Sequence, residues 1–439
     1  MPATPPTSRV LTPVAATKLA DHTRNQIALR LLPFLFVVYI INYLDRTSVA
    51  YAAIGMSRTL GFSDRVFGLG AGIFFVSYVV LQIPGALMVE RWSARRCITV
   101  ILIAWGSLTV LTGLVHTAGQ LYGARLLLGA AEAGFFPGVV VYLSHWFIRE
   151  DRAKAGSNFM AAIPLSFIVG SPLAGWILGH PWLGVDGWRW LFVLEGMPAV
   201  LLGAVAFFYL TDRPRDAAWL APEQRQWIEQ KLVEEKPVSP RKITTWQALR
   251  SGPVLVLSAV AFLEYFVAYT VAFWLPTILK RQSGFSDVRV GFMGMVPYMV
   301  GLIAMLVNGW HSDKTGERRW HTAVPLFIAA TALLGLITVS ASTQVSLILF
   351  TMLLCVSGFL PAFWAMPSEI LSESAAAASV GMINAVGSIA GFAGPFLFGY
   401  LNSRTGSYSS GLMVMMVCAI AGGLLVLRVP RARVGLSRS

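Results

Sequence analysis

Long apolar stretches separated by short polar segments dominate the hydropathy pattern of this chain. Twelve of them are long enough to cross a bilayer as helices of about 20 residues each. Their approximate ranges are 31–53, 66–88, 97–115, 119–144, 153–179, 188–210, 252–279, 287–309, 322–340, 345–367, 376–402 and 408–428. The pattern therefore predicts an all-α membrane protein with twelve transmembrane helices, which we number spans 1 to 12.

Composition supports this class. Hydrophobic residues make up 56% of the chain and charged residues only 13%, whereas a soluble globular protein carries about 25% charged residues. No Walker loop, nucleophile elbow or clustered His/Cys set is present, and Cys97, Cys355 and Cys418 lie in or beside spans without metal-ligand spacing. We therefore expect neither an enzyme nor a cofactor or metal site.

The positive charges are distributed unevenly across the predicted membrane. With both termini on one side, that side carries 25 of the 34 Lys and Arg residues, the opposite side carries seven, and Arg46 and Arg125 lie inside spans. Cytoplasmic loops are enriched in Lys and Arg, so both termini are predicted to be cytoplasmic, in an inner membrane. The net charge of +13 then reflects topology and a lipid environment, and no nucleic-acid partner is expected.

The longest polar segment separates six spans from six. We predict a disordered cytoplasmic tail at 1–26, a six-helix bundle at 27–210 and a cytoplasmic linker with a short amphipathic helix at 211–250. A second six-helix bundle follows at 251–428 and a cytoplasmic tail at 429–439.

Two motifs recur at one spacing. Glu90 and Asp313, which follow spans 2 and 8, are 223 positions apart, and so are Pro172 of span 5 and Pro395 of span 11. This repeat predicts two pseudo-symmetric six-helix bundles with a binding site between them, near the middle of the membrane.

The acidic-basic loops after spans 2 and 8 form the first of these motifs. The second copy reads Gly-x-x-x-Asp-Lys-x-Gly-x-Arg-Arg, and the first departs from it at Ala86, Glu90 and Ser93. A carboxylate at a helix end can pair with nearby arginines and latch the halves in one state. The alternative is a basic loop that only sets orientation. The predicted cytoplasmic gate consists of Glu90, Arg91, Arg95, Asp313, Lys314 and Arg318.

Four charged residues interrupt the apolar spans of the N-terminal half. Asp45 and Arg46 are adjacent in span 1, while Arg125 and Glu132 in span 4 are two helical turns apart and share one face. A charge at membrane depth costs at least about 2.5–3.5 kcal/mol, so these side chains should face a polar interior. The alternative is a static ion-pair network that joins spans 1 and 4.

The charges suggest a mechanism. A planar guanidinium suits bidentate binding of a carboxylate, so Arg46 and Arg125 are candidate substrate ligands. We hypothesise that protonation of Asp45 releases an arginine from an internal ion pair to bind an external anion, while Glu132 supplies a second titrating site. The positions 223 residues further on are uncharged, so coupling is expected in the N-terminal half alone.

The loop motif resembles the commonest signature of the major facilitator superfamily. Further stretches narrow the resemblance to its anion:cation symporter family, especially the permeases for tartrate, sugar acids and phthalate: Tyr43–Arg46, Gly68–Phe75, Arg125–Pro137, Phe159–Pro164, Asp212–Pro214 and Phe273–Pro276. The resemblance implies that Asp45 and Glu132 carry protons and that Arg46 holds the substrate.

Neutral side chains complete the predicted site. Tyr43, Tyr78 and Gln82 are candidate hydrogen-bonding partners of the substrate, and the resemblance places a functional tyrosine at Tyr78 and a substrate-contacting asparagine at Asn384. Tyr269 and Trp364 are candidate cavity aromatics. For each, packing between helices is the alternative. Glu264 of span 7 is an extra acid that matches no position in the family pattern.

Together these features predict a proton-coupled importer of an organic carboxylate that works by alternating access, with one chain forming a complete pathway as a monomer. A proton-driven exporter of small molecules is the first alternative. A transporter-like anion sensor is the second, although such sensors usually carry an added cytoplasmic domain.

Overall fold

The computed structural model describes residues 13–180, 182–235, 251–339, 342–370 and 373–429. Within these ranges it contains twelve helices long and apolar enough to cross a membrane, which confirms the predicted number of spans. Nine are single helices: span 1 Pro13–Leu60, span 2 Asp64–Arg91, span 3 Ala94–Thr112, span 6 Gly187–Tyr209, span 7 Gly252–Ser283, span 8 Asp287–Thr315, span 9 Arg319–Thr338, span 11 Glu373–Thr405 and span 12 Ser409–Val426.

Three spans are interrupted. Span 4 consists of Ala118–Glu132 and Phe135–Ser144, and span 5 of Arg149–Met160 and Ala162–Leu178. Span 10 consists of Thr343–Leu354, a 3₁₀ turn at Cys355–Gly358, and Phe359–Ile370.

Proline explains the breaks in spans 4 and 5. Pro137 and Pro164 have no N–H to donate to the carbonyl groups four residues earlier, at Ala133 and Met160, and their rings crowd those carbonyls. The break of span 4, advanced by 223 positions, falls within the 3₁₀ turn of span 10. The repeat is therefore visible in the helix geometry as well as in the sequence.

Helix packing divides the molecule into two bundles of six spans. In the N-terminal half, span 3 packs on span 6 and span 2 on span 4; in the C-terminal half, span 7 packs on span 11 and span 9 on span 12. The halves meet where span 2 contacts span 11, span 5 contacts span 8 and span 1 contacts span 7. The predicted fold class is confirmed.

Among the described residues, the closest approaches of glycines between the halves lie toward one end of these seams. We call the end where span 1 begins the terminal end, and the other the distal end. Near the distal end, a Cβ at Gly175 of span 5 would lie 2.9 Å from the Cα of Gly291 in span 8. In the same part of the molecule, a Cβ at Gly68 of span 2 would lie 2.6 Å from the carbonyl oxygen of Pro395 in span 11. The halves are thus closely packed at the distal end.

The helix of span 1 begins at Pro13, inside the 1–26 segment that the sequence predicts to be disordered. This extension lies beside the linker helix Pro222–Glu234: Gln224 donates to the side-chain oxygen of Gln26 at 3.0 Å. The predicted short helix of the linker therefore packs on the extension of span 1. Residues 1–12, 236–250 and 430–439, which include parts of the predicted tails and linker, lie outside the described residues.

Candidate functional site

An ion pair lies between the middle parts of spans 1 and 4. A terminal nitrogen of Arg46 donates to Glu132 Oε2 at 2.8 Å, with the side chains only 6% and 0% exposed. Asn42, one turn before Arg46, donates its amide to the same oxygen at 2.9 Å. Two donors on one face of span 1 therefore hold one carboxylate of span 4.

The chain path of span 4 explains where Glu132 lies. Glu132 is the last residue before the break in the span. The break therefore determines where its side chain lies. One turn earlier, a Cβ at Gly129 would lie 2.0 Å from the carbonyl oxygen of Phe74. Only glycine permits this approach of span 4 to span 2, which places both Arg125 and Glu132 against the interior.

Aromatic rings surround the Arg46 guanidinium. Its central carbon lies 5.1 Å from the ring centre of Tyr43, 5.2 Å from that of Phe74 and 4.9 Å from that of Tyr78. Ring faces carry partial negative charge and attract a cation, most strongly where water is excluded. These rings stabilise Arg46 without neutralising it, which leaves its charge available to an anion.

Asp45 occupies a different environment. Its Oδ2 accepts a hydrogen bond from the Thr109 hydroxyl of span 3 at 2.6 Å, and its Oδ1 has no partner among the described residues. The expectation that Asp45 holds an arginine in a direct ion pair is wrong, because Glu132 occupies that position on Arg46. Successive residues of a helix point about 100° apart, so Asp45 faces span 3 while Arg46 faces span 4.

Arg125 is fully buried, and its charge is incompletely satisfied. Its Nε donates to the carbonyl oxygen of Gly70 at 3.3 Å, and its guanidinium lies 4.9 Å from the ring centre of Phe74. Neither terminal nitrogen has a hydrogen-bond partner in the described part of the chain. A buried guanidinium with two free donor groups is a ready ligand for a carboxylate.

The C-terminal half contributes neutral groups. Tyr269 of span 7 packs against Phe75 of span 2, with ring centres 4.7 Å apart, and it interacts electrostatically with Arg46. Beside it, Tyr265 donates a hydrogen bond to Asn384 at 3.4 Å. These contacts join the predicted residues Tyr269 and Asn384, through Tyr265, to the cluster around Arg46.

For three predicted residues the structure shows no side-chain hydrogen bond or ring contact with the cluster around Arg46 among the described residues. Gln82 is buried one turn beyond Tyr78, toward the terminal end. Trp364 is half-buried in span 10 against Phe363, at 5.3 Å between ring centres. Glu264 is buried, and its Oε2 has no partner among the described residues.

The second gate loop is internally paired. Arg318 donates to Asp313 at 2.6 Å and to Glu369, near the end of span 10, at 2.8 Å. Burial works to lower the pKa of Arg318, but the two carboxylates raise it above its usual value. Lys314 lies 5.2 Å from the ring centre of Trp310.

In the first gate loop, Asp212 accepts hydrogen bonds from the Ser93 hydroxyl and the Arg95 backbone N–H at 2.7 and 2.9 Å. Glu90 and Arg91 are exposed. None of these contacts joins the two helix bundles.

A sequence profile of the Major Facilitator Superfamily matches residues 35–395. The match covers most of both helix bundles. The chain belongs to the Major Facilitator Superfamily. It is accordingly a multi-pass membrane transporter and not an enzyme. Among the described residues, no group of three or more His, Cys, Asp or Glu is arranged to hold a metal ion.

One of the similar proteins is of the class that the narrower resemblance names. The chain is 39% identical to a putative tartrate transporter of Agrobacterium vitis over 94% of this chain and 96% of the relative. It is 33% identical to a quinolone resistance transporter of Acinetobacter baumannii over 91% and 93%. The inward-open xylose transporter XylE of Escherichia coli shares the fold, with a TM-score of 0.73, 14% identity and coverage of 92% and 97%.

Three buried polar residues in or near this candidate site escaped the sequence analysis. Asn42 and Thr109 are neutral, and their partners come from other spans. Glu195 of span 6 is 4% exposed, and its Oε2 has no partner among the described residues. Glu195 carries the same signal that singled out Asp45, an acid inside an apolar span, so the sequence could have revealed it.

Proposed function

We propose that the protein imports an organic carboxylate together with protons. The observation that carries this proposal is the buried ion pair between Arg46 and Glu132, beside a second guanidinium, Arg125, whose terminal nitrogens are unpaired. An anion and Glu132 would compete for one cation. Protonation of Glu132 would then decide which of them binds.

The terminal end is assigned to the cytoplasm because it carries most of the Lys and Arg residues. The described conformation is then inward-facing, closed toward the outside, in an inner membrane. Arg46 pairs with Glu132 in this conformation, which corresponds to a carrier that has released its anion and proton.

Charge balance supplies the coupling. Moving uncompensated charge through a low-dielectric interior is costly. The empty carrier is balanced when Glu132 is ionised on Arg46, and the loaded carrier is balanced when Glu132 is protonated and the anion occupies Arg46. An anion bound without a proton leaves two negative charges competing for one cation. The loaded carrier without a proton therefore does not change between its outward-facing and inward-facing conformations.

The same balance favours a dicarboxylate. A dianion replaces two internal carboxylates, those of Asp45 and Glu132, as counterion to Arg46 and Arg125, and import then carries two protons. The likeness to a putative tartrate transporter supports this class, with sugar acids and aromatic carboxylates as the other substrates to test. Tyr43, Tyr78, Gln82, Tyr269, Trp364 and Asn384 would contact the neutral parts of the anion.

The gate motifs have a matching role. We assign Glu90, Arg91, Arg95, Asp313, Lys314 and Arg318 to a cytoplasmic latch that forms across the halves when the terminal end closes. In the described conformation Arg318 is paired inside its own half. Closure would exchange part of this pairing for contacts with the first loop, and a single chain suffices for the cycle as a monomer.

Proton-driven export is the second candidate, and the likeness to a quinolone resistance transporter favours it. Export uses the same acids, but the substrate moves against the proton flow. The direction of the pH gradient that drives net flux separates the two candidates.

The test is transport in proteoliposomes that contain the purified full chain. Labelled tartrate, galactonate and phthalate are offered outside, with the lumen either more alkaline or more acidic than the medium. Import with protons predicts accumulation only with the alkaline lumen. Accumulation of an anion or a fluoroquinolone only with the acidic lumen would establish antiport, and gradient-independent equilibration would contradict proton coupling.

A further inference from the structure

Glu195 lies apart from the anion site, on the opposite side of span 1. Span 1 presents Asn42 and Arg46 to Glu132 of span 4, and it presents Asp45 to Thr109 of span 3. Span 6, which carries Glu195, packs on spans 3 and 1. A buried polar region therefore lies between spans 1, 3 and 6, separate from the aromatic cluster around Arg46.

Three groups make up this region. Glu195 directly precedes Gly196, where a Cβ would lie 3.0 Å from the Cβ of Thr109, the residue that donates to Asp45. Ser48, one helical turn beyond Asp45, is 1% exposed and donates to the backbone carbonyl of Asp45 at 2.5 Å. A carboxylate oxygen of Asp45 and one of Glu195 remain unpartnered within the described residues. The region therefore combines two carboxyl groups that have spare oxygens with a hydroxyl that can both donate and accept.

The three groups are arranged along the membrane normal. At the distal end, Trp188 of span 6 donates to Thr59 of span 1, which aligns the two helices. At a rise of about 1.5 Å per residue, Glu195 lies ~10 Å below this contact, Ser48 ~16 Å and Asp45 ~21 Å. Glu195 is therefore about half-way between the distal surface and Asp45.

Charge balance shows which form Glu195 takes. Among the described residues, the fully buried charged groups of the N-terminal half are Asp45, Arg46, Arg125, Glu132 and Glu195. The two arginines balance the charges of two carboxylates. Burial of a third, uncompensated carboxylate would cost several kcal/mol of free energy. The titratable groups that interact with Glu195 are Asp45 and Tyr51, both from span 1, and span 3 contributes the neutral Thr109. Among the described residues no cation compensates an ionised Glu195, which favours its protonated form.

From this arrangement we infer that Glu195, Ser48 and Asp45 form a proton relay that leads from the distal side to Asp45 without passing through the anion site. The proton leaves the Glu195 carboxyl for the Ser48 oxygen, and the Ser48 hydroxyl proton passes to ionised Asp45. Glu195, now ionised, regains a proton from the distal side. This inference rests on the proposed proton coupling and assigns its entry route.

The test compares two modes of transport in proteoliposomes of the full chain, with labelled tartrate as the probe. Gradient-driven uptake needs proton loading and release, whereas exchange of tartrate at equal pH can proceed with the relay permanently protonated. Glu195→Gln keeps the shape and removes the proton. We expect driven uptake to fall by about 10²-fold, the lower end of what a positioned proton-transfer group contributes, with exchange retained.

Ser48→Ala is the second variant, because it breaks the relay without changing any charge. We expect the same selective loss of driven uptake, together with fewer protons entering per tartrate, as recorded by a pH dye in the lumen. Its matched control is Ser166→Ala in span 5, another buried serine, whose hydroxyl donates to the carbonyl oxygen of Ile163 in its own helix at 2.6 Å. The control should retain both modes.

The outcomes separate two failures. If Asp45→Asn uncouples transport while Glu195→Gln and Ser48→Ala remain coupled, the relay is overturned and the proposed function stands. Equal loss of driven uptake and exchange in both variants would also overturn the relay, in favour of a structural role. If the wild-type protein shows no gradient-driven uptake of any anion in the panel, the proposed function fails, and the relay fails with it.

Discussion

Arg281 of span 7 donates two hydrogen bonds to Asp64 at the start of span 2. Their lengths are 2.7 and 2.6 Å, one to each carboxylate oxygen. The pair joins the halves at the distal end, and Asn402 of span 11 also donates to Asp64. Every other ion pair described in the structure lies within one half or involves the linker. This contact favours the distally closed conformation, because it breaks when the halves part there.

Asp64→Asn should therefore shift the conformational equilibrium toward distal opening. Partly exposed ion pairs contribute up to about 1 kcal/mol, which corresponds to roughly fivefold in the population ratio. Spin labels on Arg58→Cys and Ser403→Cys, at exposed distal positions in the two halves, measure the change. We expect a longer distance to gain population.

Asp287→Asn is the matched control for this experiment. Asp287 pairs with Lys280 at 2.7 Å at the same end, but within the C-terminal half. The control should leave the distance distribution unchanged. An equal shift in both variants would mean that general loss of distal charge pairing, rather than the contact between the halves, is responsible.

The close packing of spans 5 and 8 gives a steric test. A Cβ at Gly291 would lie 2.4 Å from the carbonyl oxygen of Ser171, and backbone cannot give way there as a side chain can. Gly291→Ala should oppose distal closure by about 1–3 kcal/mol, the usual cost of overpacking. We expect transport to fall about tenfold or more. Gly123→Ala, where a Cβ meets no atom within 4 Å, should leave transport unchanged.

Competition between Glu132 and the anion predicts a particular pH dependence. Because anion binding is coupled to proton binding in the proposed function, the apparent affinity for the anion should weaken as pH rises. Glu132→Gln mimics the protonated acid at every pH, because an amide carries no charge. Binding measured by tryptophan fluorescence should be tighter in this variant, and its pH dependence should fall to the part contributed by Asp45. A wild-type slope that survives in Glu132→Gln would assign the competing proton elsewhere.

The geometry of Arg46 predicts that lysine cannot replace it. Lysine retains the charge but loses the planar pair of donors that matches a carboxylate. Arg46→Lys should raise KM about tenfold or more, since a hydrogen bond to a charged group contributes about 1.5–3 kcal/mol. Arg289→Lys, at an arginine that stacks on Phe285 near the distal end, should keep the wild-type KM. Equal effects in the two variants would argue against direct contact between Arg46 and the substrate.

The sequence predicted much of the fold because bilayer thickness limits each span. Apolar length, with charged residues and Gly or Pro at the boundaries, located all twelve spans. The shared spacing of Glu90 with Asp313 and of Pro172 with Pro395 revealed the repeat. The breaks in spans 4 and 5 were not predicted, because proline also occurs in unbroken helices, such as Pro198 in span 6.

The site was predicted as a set of residues but not as a set of pairs. Charge in an apolar span identified Asp45, Arg46, Arg125 and Glu132, but which acid meets which arginine depends on helix rotation, which periodicity leaves open. Thr109 lies 64 residues from Asp45, and Arg281 lies 217 residues from Asp64. Neutral partners and distant loop residues carry no local signal, so only the packed structure shows these contacts.

The most direct test of the central claim is transport of labelled tartrate by Asp45→Asn and Glu132→Gln in proteoliposomes with an inward proton gradient. The account predicts that gradient-driven accumulation disappears in both variants, while exchange at equal pH survives in at least one. Such a result separates proton coupling from anion binding. Accumulation that remains intact in both variants would contradict the account and would reduce the two acids to structural partners of the buried arginines.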